Sequence, residues 1–116
     1  MLGAKQLLEF IKDKKNQSFL NDAPFIIAGD FNAAPWEEAV KLMTRDGILK
    51  DMTCSLPGTF HDYGRCVPNT KIDYIFGDGK INFISSSLWT DEANGVYLSD
   101  HYPVAVTFSI ADENTI

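Results

Sequence analysis

Ala4, Leu7, Leu8 and Ile11 recur at helical spacing, with Lys5 and Glu9 four residues apart on the opposite side. That pattern predicts an amphipathic helix over residues 3 to 15. The helix opens almost at Met1 without a capping residue, so the chain is expected to enter from a preceding segment. Asn16 to Asp22 reads as a polar connection. Pro24 then opens a short apolar run, Phe25-Ile26-Ile27-Ala28, which predicts a buried strand ended by Gly29, with Asp30 and Asn32 just beyond it. Pro35 near a first helical position, acids at Glu37 and Glu38, a basic Arg45 and a stop at Gly47 predict a second helix over 35 to 45. From Ile48 to Asn69 the pattern is irregular, with room for a short strand at Thr59 to His61. Lys71 to Phe76 alternates well enough for a strand, and the Gly77-Asp78-Gly79 turn leading to Ile81–Ile84 predicts a hairpin. Thr90 to Gly95 reads as polar loop, Pro103 to Ile110 as a final strand, and Ala111 to Ile116 as a frayed polar tail.

Length adds a bound: 116 residues hold one domain at most. A hydrophobic fraction of 45% and a charged fraction of 22% are those of an ordinary globular protein, and no apolar run reaches the length of a transmembrane segment. The start MLGAKQLLEF shows no export signal, and cytoplasmic and secreted locations both stay open. The net charge of −6, with basic residues clustered only at Lys12, Lys14 and Lys15, argues against broad, non-specific binding to nucleic acid. An acidic balance fits carboxylates gathered around a divalent cation and fits surface solubility equally. Cys54 and Cys66 lack histidine partners at zinc spacing; free thiols are expected, with a disulfide across the irregular region as the alternative.

Polar clusters sit against three of the expected strands: Asp30 and Asn32 after the first, Asp73 inside the second, Asp100 and His101 before the last. Strand ends far apart in sequence can meet at one rim of a sheet. Carboxylates, an amide and an imidazole converging there suit hydrolysis of a phosphate ester. Carboxylates hold a hard cation, one of them can take a proton from water, and amide and imidazole can stabilise charge on phosphorus. Asp73 in a buried strand needs a partner, and His101 is the natural one, its tautomer then fixed. The plain alternative has Asp73 facing solvent and His101 satisfying a turn.

GDFN at 29–32, KIDYIF at 71–76 and SDHYPV at 99–104, in that order, resemble the C-terminal motifs of the endonuclease/exonuclease/phosphatase superfamily. The resemblance implies the deoxyribonuclease I-like fold, an α+β four-layer α/β/β/α sandwich, of which this chain would be the C-terminal half. That half would carry a mixed, mostly antiparallel sheet with two helices on one face. It further implies phosphoester hydrolysis with Mg²⁺ or Mn²⁺. Asp30 would position or deprotonate the nucleophile, Asn32 would bond the scissile phosphate, Asp73 would orient His101, His101 would stabilise the phosphoryl transition state, and Asp100 would contact metal. Gly58-Thr59-Phe60-His61 resembles a segment of bacterial members, and His61 is read either as a loop histidine or as a residue reaching substrate.

The family's metal-binding Glu, in a Gln-Glu motif, has no counterpart among Glu9, Glu37, Glu38, Glu92 and Glu113. The main metal ligand is therefore expected in a missing N-terminal half. Half a sandwich leaves a sheet face open, with Phe25, Ile27, Ile72, Tyr74, Val104 and Val106 as its expected residues. The partners implied are that missing half or a second copy on the open face, and a phosphoester substrate, small or lipid-derived in preference to nucleic acid. Two readings follow: a metal-dependent phosphoesterase whose isolated half is weak or inactive, and a non-catalytic binding or assembly module that keeps the fold.

Overall fold

The computed structural model describes residues 2–15 and 23–110. The expected connection over Asn16 to Asp22 and the expected frayed tail lie outside the described residues. The elements are helices α1 (Leu2–Lys15) and α2 (Glu38–Arg45), and strands β1 (Ile26–Asp30), β2 (Leu49–Asp51), β3 (Asp73–Asp78), β4 (Ile81–Leu88), β5 (Glu92–Ala93), β6 (Val96–Tyr97) and β7 (Val104–Ile110). Every strand pair among the described residues is antiparallel, and the fold is α+β.

The organising sheet has the order β1-β3-β2, and both helices cover one of its faces. Ala4, Leu8 and Ile11 of α1 and Val40 and Met43 of α2 close over Leu49, Tyr74 and Phe76. Phe31 plugs the end of this layer, edge-on to Tyr74 at 5.6 Å and to Phe76 at 5.3 Å. Lys12 reaches across to Asp46 at 2.9 Å, and its hydrogen bond, with one from the Ile48 N–H, holds the Asp46 carboxyl below its ordinary range. A second, two-stranded sheet pairs β4 with β7, and β5 and β6 form a small hairpin between them in sequence.

Register fixes which side chains share a face. Ile27 pairs with Phe76 and Gly29 with Tyr74 on the helix side, so Ala28–Ile75 and Asp30–Asp73 face the other way. The expected open-face set is corrected by this phase: Phe25, Ile27 and Tyr74 belong to the helix-side core, and Ile72 is buried. The uncovered face instead carries Ile26, exposed to 40%, with Ala28 and half-buried Ile75, while Val104 and Val106 are half-buried on β7. An unbroken apolar run such as Phe25–Ala28 contains no alternation from which to read the phase, and a slip of one position inverts every side chain.

Four local differences have definite causes. Strand β1 runs through Gly29 to Asp30, because both residues keep their ladder partners on β3. Helix α2 starts at Glu38 because Pro35 occupies the second position of a turn closed by the Glu37 N–H on the Ala34 carbonyl, at 3.0 Å. The Gly77–Gly79 turn joins β3 and β4 without a hairpin, since the two strands leave it into different sheets. Within the expected polar loop, Asn94 and Gly95 both adopt positive φ (54° and 76°), the turn that β5 and β6 require. Both cysteines are free.

The molecule is a slab, 50 × 34 × 19 Å, with a radius of gyration of 16.0 Å. A closed domain of this length would have a radius of about 13 Å. Nineteen ångströms is about the depth of one sheet and one helix layer, and among the described residues the sheet face away from the helices is met by the segment leading into β7, at its Asp30–Asp73 end.

Candidate active site

The Asp30–Asp73 register pair sits where β1 and β3 end side by side on the uncovered face. Leaving β1, the chain turns at Asn32, whose φ of 49° is one that asparagine tolerates, and the Asn32 N–H donates to Asp30 Oδ1 at 2.7 Å. That bond occupies one carboxylate oxygen of Asp30 and leaves Oδ2 aimed outward. The turn is pinned from below by Tyr74, whose buried hydroxyl donates to the Ala33 carbonyl at 2.7 Å. Burial, aided by the negative charges of Asp51, Glu37 and Asp73, pushes the Tyr74 hydroxyl far above its ordinary range, so it remains a donor at any working pH.

His101 arrives from the segment before β7. Ser99 shapes the approach, its hydroxyl accepting the His101 N–H at 3.2 Å and donating to Asp100 Oδ1 at 3.3 Å. The imidazole Nδ1 lies 2.7 Å from Asp73 Oδ2; a carboxylate only accepts, so Nδ1 carries the proton and Nε2 points away. Asp30 Oδ2 at 3.8 Å and Asp100 Oδ1 at 3.9 Å flank that Nε2. Burial works to lower the affinity of His101 for its second proton. The hydrogen bond and charge of Asp73, then Asp100 and Asp30, outweigh it and raise the net value above 6.5.

The structure thus brings Asp30, Asp73 and His101 together, their ligand atoms within 4.8 Å of one another. They line an open cleft of about 350 Å³ with Ser99 and Tyr102. Asp100 stands at the rim beside Nε2. Asn32 is exposed and lines the adjoining groove between α1 and β1, which shares Asp30 with the cleft. His61 is buried between Tyr97 and Tyr102, its backbone N–H donating to the Asp100 carbonyl at 3.0 Å.

Two neighbours of His61 hold the site, and residue chemistry alone gave no reason to single them out. Thr59 is fully buried, and its hydroxyl oxygen accepts the N–H groups of Ile72 at 3.1 Å and Asp73 at 3.2 Å. Phe60 bridges Thr70 and His101 through its backbone, and its ring meets the His101 ring edge-on at 5.0 Å. Consecutive residues 59, 60 and 61 therefore touch, in turn, the backbone of Asp73, the ring of His101 and the backbone of Asp100. Gly58 lets this segment lie against Asn69, because a Cβ there would come within 2.4 Å of the Asn69 carbonyl oxygen. The signal that could have found them is their place in one short motif, at a point where the backbone pattern is irregular.

Compared with known proteins, residues 5–101 match the profile of the Endonuclease/Exonuclease/phosphatase family. No curated protein matches the chain. Among solved structures, an endonuclease/exonuclease/phosphatase from Bacteroides vulgatus is similar at 25% identity with a TM-score of 0.77, over 92% of this chain and 43% of that one. A mannosyl-6-phosphatase from Bacteroides thetaiotaomicron is similar at 21% identity and a TM-score of 0.74, over 92% of this chain and 44% of that one. A conserved protein from Enterococcus faecalis is similar at 25% identity and 0.71, over 89% and 42%. The chain spans less than half the length of each of these relatives.

Proposed function

The chain belongs to the endonuclease/exonuclease/phosphatase family, and from that premise we propose that the protein of which it forms the C-terminal half hydrolyses a phosphoester. The observation that carries the reading is the His101 imidazole, held at Nδ1 by Asp73 at 2.7 Å with Nε2 turned toward Asp30 across an open cleft. With its proton affinity raised, His101 presents an N–H at Nε2 to a phosphoryl oxygen. Asp30 Oδ2, on the other side of that oxygen, accepts a proton from the attacking water. As the water–phosphorus bond forms, the bond to the leaving oxygen breaks, the departing alkoxide takes a proton from solvent in the open cleft, and charge gathering on the phosphoryl oxygens is met by His101 and the Asn32 amide.

The exposed carboxylates of Asp30 and Asp100 are hard-oxygen donors of the kind Mg²⁺ or Mn²⁺ prefers, and Asp73 is already engaged by His101. Asp100 would hold such an ion, with further oxygens supplied by water, substrate and the rest of the protein. When bound, it would neutralise charge on the phosphate and the leaving oxygen. A net charge of −6 and a solved relative that is a mannosyl-6-phosphatase both favour a small phosphoester over nucleic acid.

The test is phosphate or alcohol release by the complete protein with Mg²⁺, after chelation, and in Asp30→Asn and His101→Ala. Loss of about 100-fold or more in either variant is expected for groups acting on a proton in the transition state. Undiminished turnover in both would refute the assignment and leave a non-catalytic module.

A further inference from the structure

His61 is exposed to only 2%, yet neither of its ring nitrogens has a hydrogen-bond partner among the described residues. A neutral imidazole carries one donor and one acceptor, and leaving such groups buried without partners is costly. The fold goes to some length to place the ring there. Tyr102 lies 4.3 Å from it, tilted by 37°, and Tyr97 lies 4.4 Å away, tilted by 32°. Tyr97 is delivered by the Asn94-Gly95 hairpin, and its hydroxyl sits where any side chain at Gly64 would collide, 2.9 Å from a Cβ there.

The imidazole lines a cavity of about 80 Å³ together with Trp89, Asp91, Tyr97 and Leu98. Ser99, His101, Tyr102 and Pro103 form a wall common to this cavity and the candidate catalytic cleft. A group esterified to a phosphate beside His101 therefore has a second chamber next to it. At about 80 Å³ the cavity is roomy enough to hold water, and so to hold a substrate hydroxyl. Of the polar residues that line it, His61 and Asp91 are left to meet hydroxyls, since the Ser99 hydroxyl is engaged by Asp100 and the His101 N–H, and the aromatic walls ask for carbon between them.

We propose that this chamber is a subsite for the hydroxyl-bearing carbons of a polyol or sugar phosphate, with the unpartnered His61 imidazole as the group that bonds a substrate hydroxyl. The inference rests on the phosphoesterase reading for the position of the phosphate. It goes beyond that reading in naming the alcohol and in giving His61 a role in specificity.

Glycerol 3-phosphate and propyl phosphate share a three-carbon chain and differ in two hydroxyls, so they isolate the interaction. In the complete protein, His61→Phe is expected to lower kcat/KM for glycerol 3-phosphate about tenfold more than for propyl phosphate, as for a site deprived of a hydroxyl partner. Its thermal midpoint should be equal or higher, because phenyl fills the space without orphaned nitrogens. Equal losses on the two esters, or a fall in midpoint showing that the nitrogens are bonded within the fold, would overturn the subsite. Should the variant not fold, the wild-type protein still decides: glycerol, and not 1-propanol, should shift the His61 ring nitrogens in an imidazole ¹⁵N spectrum. Hydrolysis of neither ester by a wild type that cleaves other phosphoesters overturns the subsite, and hydrolysis of no phosphoester at all sinks the phosphoesterase reading; a glycerol-specific His61 shift would then leave the hydroxyl pocket standing, and no shift would remove both.

Discussion

Replacing Asp73 by Asn tests whether the carboxylate sets the protonation and aim of His101. Both groups are partly buried, with side-chain exposures of 17% and 26%, so solvent screens their 2.7 Å contact only in part. A hydrogen bond to a charged group is worth about 1.5–3 kcal/mol, which corresponds to about 10- to 150-fold in rate if it is expressed in the transition state. The substitution also removes the Asp73 charge and leaves at most a neutral acceptor for the Nδ1–H, so that the charges opposing burial are those of Asp100 and Asp30. The titration midpoint should therefore fall, and with it the alkaline limb of the pH–rate profile. His101 binds its second proton more tightly in the folded chain than in the unfolded one. Its contribution to stability is thus complete below the ordinary value of 6.5 and disappears as the pH rises through the raised folded value. The difference in thermal midpoint between wild type and Asp73→Asn should accordingly be largest at about pH 5–6 and shrink above it. Only two histidines are present, so an imidazole ¹⁵N titration resolves His101 directly, with no need for activity. An unchanged His101 midpoint in the variant would refute the reasoning whatever the kinetics did.

Thr59→Val keeps the shape but strips the acceptor from two buried N–H groups; about 1–3 kcal/mol per group should be lost in denaturant unfolding, together with activity, because one of them belongs to Asp73. Tyr74→Phe leaves the Ala33 carbonyl without its donor and should cost about 1–2 kcal/mol by thermal melting, with faster amide exchange over the Asp30–Ala34 turn. Gly58→Ala forces a Cβ to 2.4 Å from a backbone oxygen, and a loss of about 2 kcal/mol or more, or failure to express soluble protein, is expected.

The elements with a strong period are legible in the sequence: α1, the strands β3 and β7, and the apolar signal of β1 all fall within a few residues of their expected places. The pairing of Asp73 with His101 is legible too, because a carboxylate placed within a strand needs a partner. Less legible is whatever is decided by partners far away in the chain. Strand β2, three residues long, exists because Leu49–Asp51 finds an edge on β3, and nothing within Ile48–Asp51 announces it. Which face Ile27 takes is not legible, because the continuous apolar run Phe25–Ala28 has no phase. Thr59 and Phe60 are ordinary residues whose importance lies in what they touch. The Asn94-Gly95 hairpin is a different case: the dipeptide is a recognised turn signal, outvoted by the polarity around it.

Among the described residues, the face that carries Asp30 and Asp73 is met only by the segment that brings His101, so on the proposed reading covering the rest of that face and completing the site would be one event. In a protein with the relatives' full length, the remaining half would have Ile26, Ala28 and Ile75 to bury. The isolated chain has only a second copy to offer that surface, which adds to exposed Phe83, Trp89 and Phe108 elsewhere. It should therefore self-associate at micromolar concentration, with Ile26→Lys shifting light scattering toward monomer while leaving the helix-side core intact, since Ile26 points away from it. A wild-type chain that stays monodisperse and monomeric would mean that the bare sheet is tolerated by itself, and would detach the completion of the site from the burial of this face.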